Sequence, residues 1–216
     1  MFAPAKTTLP APIFVIDAGA VPSATLPLKR TVPPLAAVRI VARCSVMAPL
    51  NVALARRPRA LGALLPVYSG GREVDFDDPG EDDLMGRGKI EDFTWKGLLD
   101  LATCVECGRC QSQCPAWNTD KPLSPKLFVM ALRDHALAKA PYLLAGSDEE
   151  RAALPAAARA EAERPLVGTP DAGGVIGPEA LWACTTCGAC VEQCPVDIEH
   201  VDHVVDIRRH PMLFES

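Results

Sequence analysis

CVECGRCQSQCP, residues 104–115, puts four cysteines into twelve residues and closes on a proline. CTTCGACVEQCP, residues 184–195, repeats the spacing, so eight of the nine cysteines follow C-x2-C-x2-C-x3-C-P. Two residues between successive cysteines let a tight turn gather three sulfurs on one compact inorganic centre. The longer third gap aims the fourth sulfur elsewhere. Gly108 and Gly188 stand between the second and third cysteines, where backbone must pass close to such a centre and a side chain would crowd it. Pro115 and Pro195 fix φ and release the chain into the next segment.

This spacing resembles that of two-cluster ferredoxins, in which the fourth cysteine of each run ligates the other cluster. The likeness implies two [4Fe–4S] clusters. The first would take Cys104, Cys107, Cys110 and Cys194, and the second Cys184, Cys187, Cys190 and Cys114. Zinc and disulfides are the alternatives. Zinc sites pair C-x2-C with a second such pair or with histidine, rather than taking three cysteines in succession at this spacing. A disulfide scaffold suits a short secreted chain, but MFAPAKTTLPAPIFVIDAG carries prolines and Asp17 where a signal peptide has its apolar core.

Around the runs the apolar pattern is helical. Ile90, Phe93, Leu98 and Leu101, with Leu99 alongside, predict one helical face leading into Cys104, and order is expected to begin there. Ser124-Pro125 reads as an N-cap followed by a first-turn proline, and LFVMALRDHALAKA as an amphipathic helix ending before Pro141. DEERAALPAAARAEAER predicts helix interrupted at Pro155, and Pro178 opens a short helix into the second run. Ile198, Val201, Val204 or Val205 and Ile207 are spaced for a last helix. Strand signals are nearly absent, so the fold class is mainly α.

Upstream the composition changes. Residues 1–72 hold nine Lys/Arg, one acid and ten of the 21 prolines, a net charge of +8, whereas the remainder carries −13. We expect 1–72 to be a disordered basic leader, 73–89, with seven acids between Glu73 and Asp83, a solvated acidic linker, and 90–216 the helical domain. The most apolar candidate span, Leu35 to Ala55, is broken by Arg39, Arg43 and Pro49, so no transmembrane helix is expected.

Helices on both sides of each run, and 69 residues between Cys114 and Cys184, resemble the α-helical ferredoxin module. That module occurs in iron–sulfur subunits of succinate dehydrogenase, fumarate reductase, heterodisulfide reductase and glycolate oxidase. More closely, two segments, GRGKIEDFTWKGLLDLATCVECGRCQSQCPAWNTDKPLSPKLFVMALRDHALAKAPYLL and EALWACTTCGACVEQCPVDIEHVDHVVDIRR, resemble one bacterial membrane oxidoreductase family. It is heterodisulfide-reductase-like and of the electron-transfer flavoprotein:menaquinone type, and the resemblance covers about residues 50–211. There a cytochrome-b-like membrane domain precedes the dicluster segment and two cysteine-rich CCG domains follow it. The resemblance implies electron transfer from a flavoprotein donor towards menaquinone, through a cytochrome-b-like or CCG-domain acceptor. It also implies a cytoplasmic location at the inner face of the membrane. Neither flanking part is in this sequence, which predicts a fragment or split product.

Other residues have plainer readings. Cys44 stands alone and reads as an unused thiol; His200 and His203 share a helix face and read as polar surface. Lys96, Arg109 and Lys121 near the first run read as solvated, as do Arg56, Arg57 and Arg59, which resemble a segment just inside a membrane. Trp95, Trp117 and Trp182 flank the runs and suit either a cluster cover or core packing. No nucleotide-binding glycine loop and no Ser/His/Asp constellation can be assigned, so no catalytic residue is named. The acidic balance of the ordered part argues against nucleic acid. Two further hypotheses accompany electron transfer: a stand-alone heterodisulfide-reductase- or glycolate-oxidase-like subunit, and a non-redox module in which metal merely pins helices.

Overall fold

The computed structural model describes residues 46–55, 64–69 and 71–214. The elements in order are α1 (Ala48–Ala55), β1 (Tyr68–Ser69), β2 (Arg72–Glu73), a 3-10 turn at Ile90–Asp92, α2 (Trp95–Thr103), α3 (Arg109–Ser112) and α4 (Pro125–Leu144). There follow α5 (Asp148–Ala153), α6 (Ala156–Glu163), α7 (Pro178–Trp182), α8 (Ala189–Glu192) and α9 (His200–Phe214). Among the described residues the fold is mostly helical, with one antiparallel hairpin of two-residue strands pairing Tyr68 with Glu73 and Ser69 with Arg72.

Local chemistry accounts for the helix starts. The hydroxyl oxygens of Thr94, Ser124 and Ser147 accept from the N–H groups of Gly97, Leu127 and Glu150, at 3.1, 3.2 and 3.2 Å. Each thereby satisfies an N-terminal donor the helix cannot. Pro155 caps α6 and Pro178 opens α7, as their missing N–H allows. Two other prolines sit inside helices rather than ending them: Pro141 in the last turns of α4 and Pro211 in α9. Near a C-terminus proline removes a single bond while its φ stays helical, and in α4 the carbonyl it orphans belongs to the exposed Leu137.

The core is formed by Leu101 of α2, Val129 and Leu132 of α4, Leu181 of α7 and Ile207 of α9, with Ile90 and Ile198 from the intervening chain. Helix α4 lies against α2 and α6. His135 of α4 meets Glu161 of α6 through Nδ1 and Oε1 at 2.7 Å, and Lys139 reaches Glu91 at 2.9 Å. The short helices α3 and α8, each from the middle of a cysteine run, pack on one another.

Three expectations change. The buried face of α2 is Gly97, Asp100, Leu101 and Thr103, while Leu98 is exposed, because a carboxylate rather than a leucine fills that seat. The chain also joins the core well before Ile90. Helix α1 packs on α2, where Asn51 is fully buried and donates to Asp100 Oδ1 at 2.9 Å and to the Val196 carbonyl at 2.8 Å. Within the acidic stretch only residues 75–82 are uniformly exposed. Beyond it Arg87 pairs with Asp206 of α9 at 2.8 Å and Gly86 lies against the α9 backbone. Residues 1–45, including Cys44, and Arg56, Arg57 and Arg59 lie outside the described residues.

Candidate metal centre

Each cysteine run adopts the same backbone course. Cys104 ends α2 and Cys184 follows α7; Cys107 and Cys187 stand on the loop; Cys110 and Cys190 lie in α3 and α8; Cys114 and Cys194 come just after those helices. The glycines before α3 and α8 are left-handed, with φ of 79° at Gly108 and 77° at Gly188. Two residues after the first cysteine, Glu106 and Thr186 share positive φ, 60° and 54°. That turn aims an amide at sulfur: the Thr186 N–H donates to Cys184 Sγ at 3.4 Å, and the Glu106 N–H to Cys104. The Ile198 N–H likewise donates to Cys194 Sγ at 3.5 Å. Such bonds favour the thiolate a metal needs.

The sulfurs surround two spaces. One, of about 300 Å³ and partly open to solvent, is lined by Cys104, Cys107, Cys110 and Cys194, with Lys126 and His200 at its wall. The other, of about 230 Å³, is lined by Cys184, Cys190, Phe128, Val201 and Val204, again with His200. His200 alone among the described residues lines both. Among the described residues no three His, Cys, Asp or Glu converge as around a single ion. The four sulfurs lining the first space suit a multi-iron centre. Cys107 and Cys187 are exposed, and Cys107 gives the first space an edge towards solvent.

Burial makes these thiols reluctant to ionise. It pushes Cys110 up to about 12, helped by the neighbouring charges of Cys104, Cys194 and Cys107. Burial pushes Cys190 likewise to about 12, with Cys184, Cys110, Cys187 and Cys114 adding to it. Cys104, Cys184 and Cys194 are raised mainly by burial too. Crowded, buried thiolates of this kind need bound iron to offset their repulsion.

Next to the centre lies a polar cluster that sequence reasoning missed. Asp100, fully buried, accepts from Lys96 Nζ at 2.5 Å, Asn51 Nδ2 at 2.9 Å, His203 Nε2 at 3.1 Å and the Glu199 N–H at 3.2 Å. Burial pushes its carboxyl up, but His203 and Lys96 outweigh that and hold it below the ordinary value. His200 and His203, expected on a polar surface, are both buried. His200 donates from Nδ1 to the Ile198 carbonyl at 3.0 Å, and burial lowers its pKa to about 4. Lys96 is largely buried rather than solvated, whereas Arg109 and Lys121 are exposed as expected. Trp95, Trp117 and Trp182 are all exposed, so none is core. The one available signal was Asp100 itself, an acid inside the apolar run LLDLATC.

Comparison with known proteins agrees with this geometry. Residues 103–198 match the 4Fe-4S dicluster domain family. The chain is 44% identical over 141 residues to an EtfAB:quinone oxidoreductase of Syntrophomonas wolfei, covering 63% of this chain and 20% of that protein. It is 40% identical over 154 residues to a probable membrane-anchored ferredoxin of Chromohalobacter salexigens, covering 68% and 22%. A ferredoxin:CoB-CoM heterodisulfide reductase subunit of Methanosarcina mazei matches at 24% over 111 residues, which is 51% of this chain and 46% of that protein. The chain thus spans about a fifth of the length of the first two relatives. No solved structure matches it significantly. Both cysteine runs lie inside the matched segment, and residues 103–198 thus resemble 4Fe–4S dicluster domains.

Proposed function

We propose that this chain passes single electrons between electron-transfer flavoprotein and menaquinone, as the iron–sulfur part of a membrane-associated respiratory oxidoreductase. Its ligands cross between runs: Cys104, Cys107, Cys110 and Cys194 hold one cluster, and Cys184, Cys187, Cys190 and Cys114 the other. The observation that carries the reading is the lining of the larger space, where three cysteines of the first run meet the fourth of the second. The charges of Cys114 and Cys184 also bear on one another. A bound cluster gains or loses one electron without a bond to substrate being made or broken. The protein's own part is to bury the sulfurs, direct amides at them and keep the two spaces adjacent through α3 and α8.

The donor and acceptor rest on the relatives' names, one a quinone oxidoreductase and one membrane-anchored. Among the described residues no helix is long and apolar enough to cross a membrane, so a cytochrome-b-like partner would supply the anchor at the inner face. Similarity to a heterodisulfide reductase subunit favours a second reading, in which CCG-domain partners replace the membrane domain.

The test is Cys114→Ser in the full chain, reconstituted anaerobically. Wild type should bind about eight irons and bleach reversibly with dithionite. The variant should alter the EPR signal of the centre held by Cys184, Cys187 and Cys190. A change confined to the centre of Cys104, Cys107 and Cys110 would refute the crossing, and zinc in place of iron would refute the function.

A further inference from the structure

The two halves of the domain repeat a third feature besides cysteines and glycines. In each, an arginine from the helix downstream reaches back to the first cysteine's turn. Arg133 of α4 does so in the first half and Arg208 of α9 in the second. Their surroundings differ. Arg133 Nη1 meets Glu106 Oε1 at 2.7 Å and its Nη2 meets Asp134 at 2.9 Å, so its charge is neutralised twice. Arg208 bonds only neutral oxygens: the Leu181 carbonyl at 2.6 Å and the Cys184 carbonyl at 2.8 Å, with its guanidinium 5.0 Å from the Trp182 ring centroid. Among the described residues no carboxylate pairs with it.

The difference is written into the repeat. CVECGRC has Glu106 where CTTCGAC has Thr186, and both stand at the same left-handed turn. The first half therefore supplies a carboxylate to its arginine, whereas in the second the Thr186 hydroxyl donates to the Thr185 carbonyl at 2.7 Å. We propose that Arg208 is a potential-setting residue of the centre ligated by Cys184, and that Thr186 leaves its charge uncompensated so that the added electron is favoured there. Reduction makes a cluster more negative, and a fixed positive charge in a half-buried site stabilises that state. Arg133, cancelled by Glu106 and Asp134, gives its own centre no such bias. The remaining charges nearby are Arg109, exposed, Lys126, half-buried at the wall of the first space, and Glu192, half-buried in the second run. Solvent screens Arg109 more than a guanidinium pinned by backbone carbonyls, and the Lys126 ammonium sits on a flexible stem.

This inference rests on the cysteine ligation proposed above, and its test separates the two. The full reconstituted chain is titrated with mediators and followed by EPR, the centres being told apart by Cys104→Ser and Cys184→Ser. Arg208→Gln and Thr186→Glu should each lower the midpoint of the Cys184 centre, by about tenfold in the one-electron equilibrium or ~59 mV. Arg208→Lys should keep most of the wild-type value, and Glu106→Thr should raise the midpoint of the Cys104 centre. Unchanged midpoints in Thr186→Glu, with iron content intact, overturn the role of Arg208 and leave the ligation standing. Should Arg208→Gln lose its iron, Thr186→Glu, on an exposed loop, still decides. Absence of two 4Fe–4S signals in wild type overturns the ligation itself.

Discussion

Replacing Asp100 by Asn should destabilise the domain far more than an average substitution. The carboxylate is fully buried and takes four donors, two of them from Lys96 and His203. An amide can accept at one oxygen only and turns its own N–H2 towards donors that already point inward. Neutral bonds of this kind contribute ~1 kcal/mol each and bonds to charged groups about 1.5–3. Lys96 retains some access to water, which relieves part of the loss, and about 3–5 kcal/mol is the cost expected for breaking a buried pair. With a urea slope of about 2 kcal/mol/M, the midpoint should fall by roughly 1.5–2.5 M. The folded carboxyl titrates below its ordinary value of 3.8, so its contribution is complete above that value and is lost as pH falls through the folded pKa. Measurement at neutral pH therefore sees all of it. Anaerobic urea titration of the reconstituted protein, read by far-UV circular dichroism and cluster absorbance, gives the number. A fall below about 0.5 M would show that the four contacts do not act as a network, and the reasoning would fail.

Because burial holds Cys110 and Cys190 near 12, both are thiols throughout the working range and must release protons to bind iron. Anaerobic reconstitution at limiting iron should hence be more complete at pH 9 than at pH 7; equal uptake would contradict the raised values. At Gly86 a methyl group would meet the His210 backbone nitrogen at 2.4 Å, so Gly86→Ala should push the 86–88 segment off α9. We expect about 1–3 kcal/mol lost, with faster hydrogen exchange in α9, and unchanged exchange there would refute the contact.

The dicluster signature was legible because its information is local: cysteine spacing, a glycine and a proline all lie within twelve residues. Helix starts at Ser124 and Pro178 were legible for the same reason, since a cap acts on its own first turn. What escaped was long-range and polar. Asp100 meets Asn51 from 49 residues away and His203 from 103, and an acid in an apolar helix looks alike in sequence whether it is buried or exposed. Helix α1 carries no amphipathic pattern to separate it from its proline-rich surroundings, so its packing on α2 depends on a partner the local pattern does not name. His200 and His203 followed Asp100 inward, because α9 turns towards that carboxylate the face that spacing alone assigned to water.

The space that brings Cys194 against Cys104, Cys107 and Cys110 has a consequence for biosynthesis. A ribosome adding about 5–20 residues per second needs roughly 4–16 seconds to go from Cys114 to Cys194. On the proposed ligation, three sulfurs of the first set are made throughout that interval and their fourth is not. Iron delivered to the nascent chain would meet an incomplete site with one open corner, vulnerable to oxygen and to stray thiols. Cluster delivery should accordingly follow translation, acting on a chain whose two runs have already met through α3 and α8.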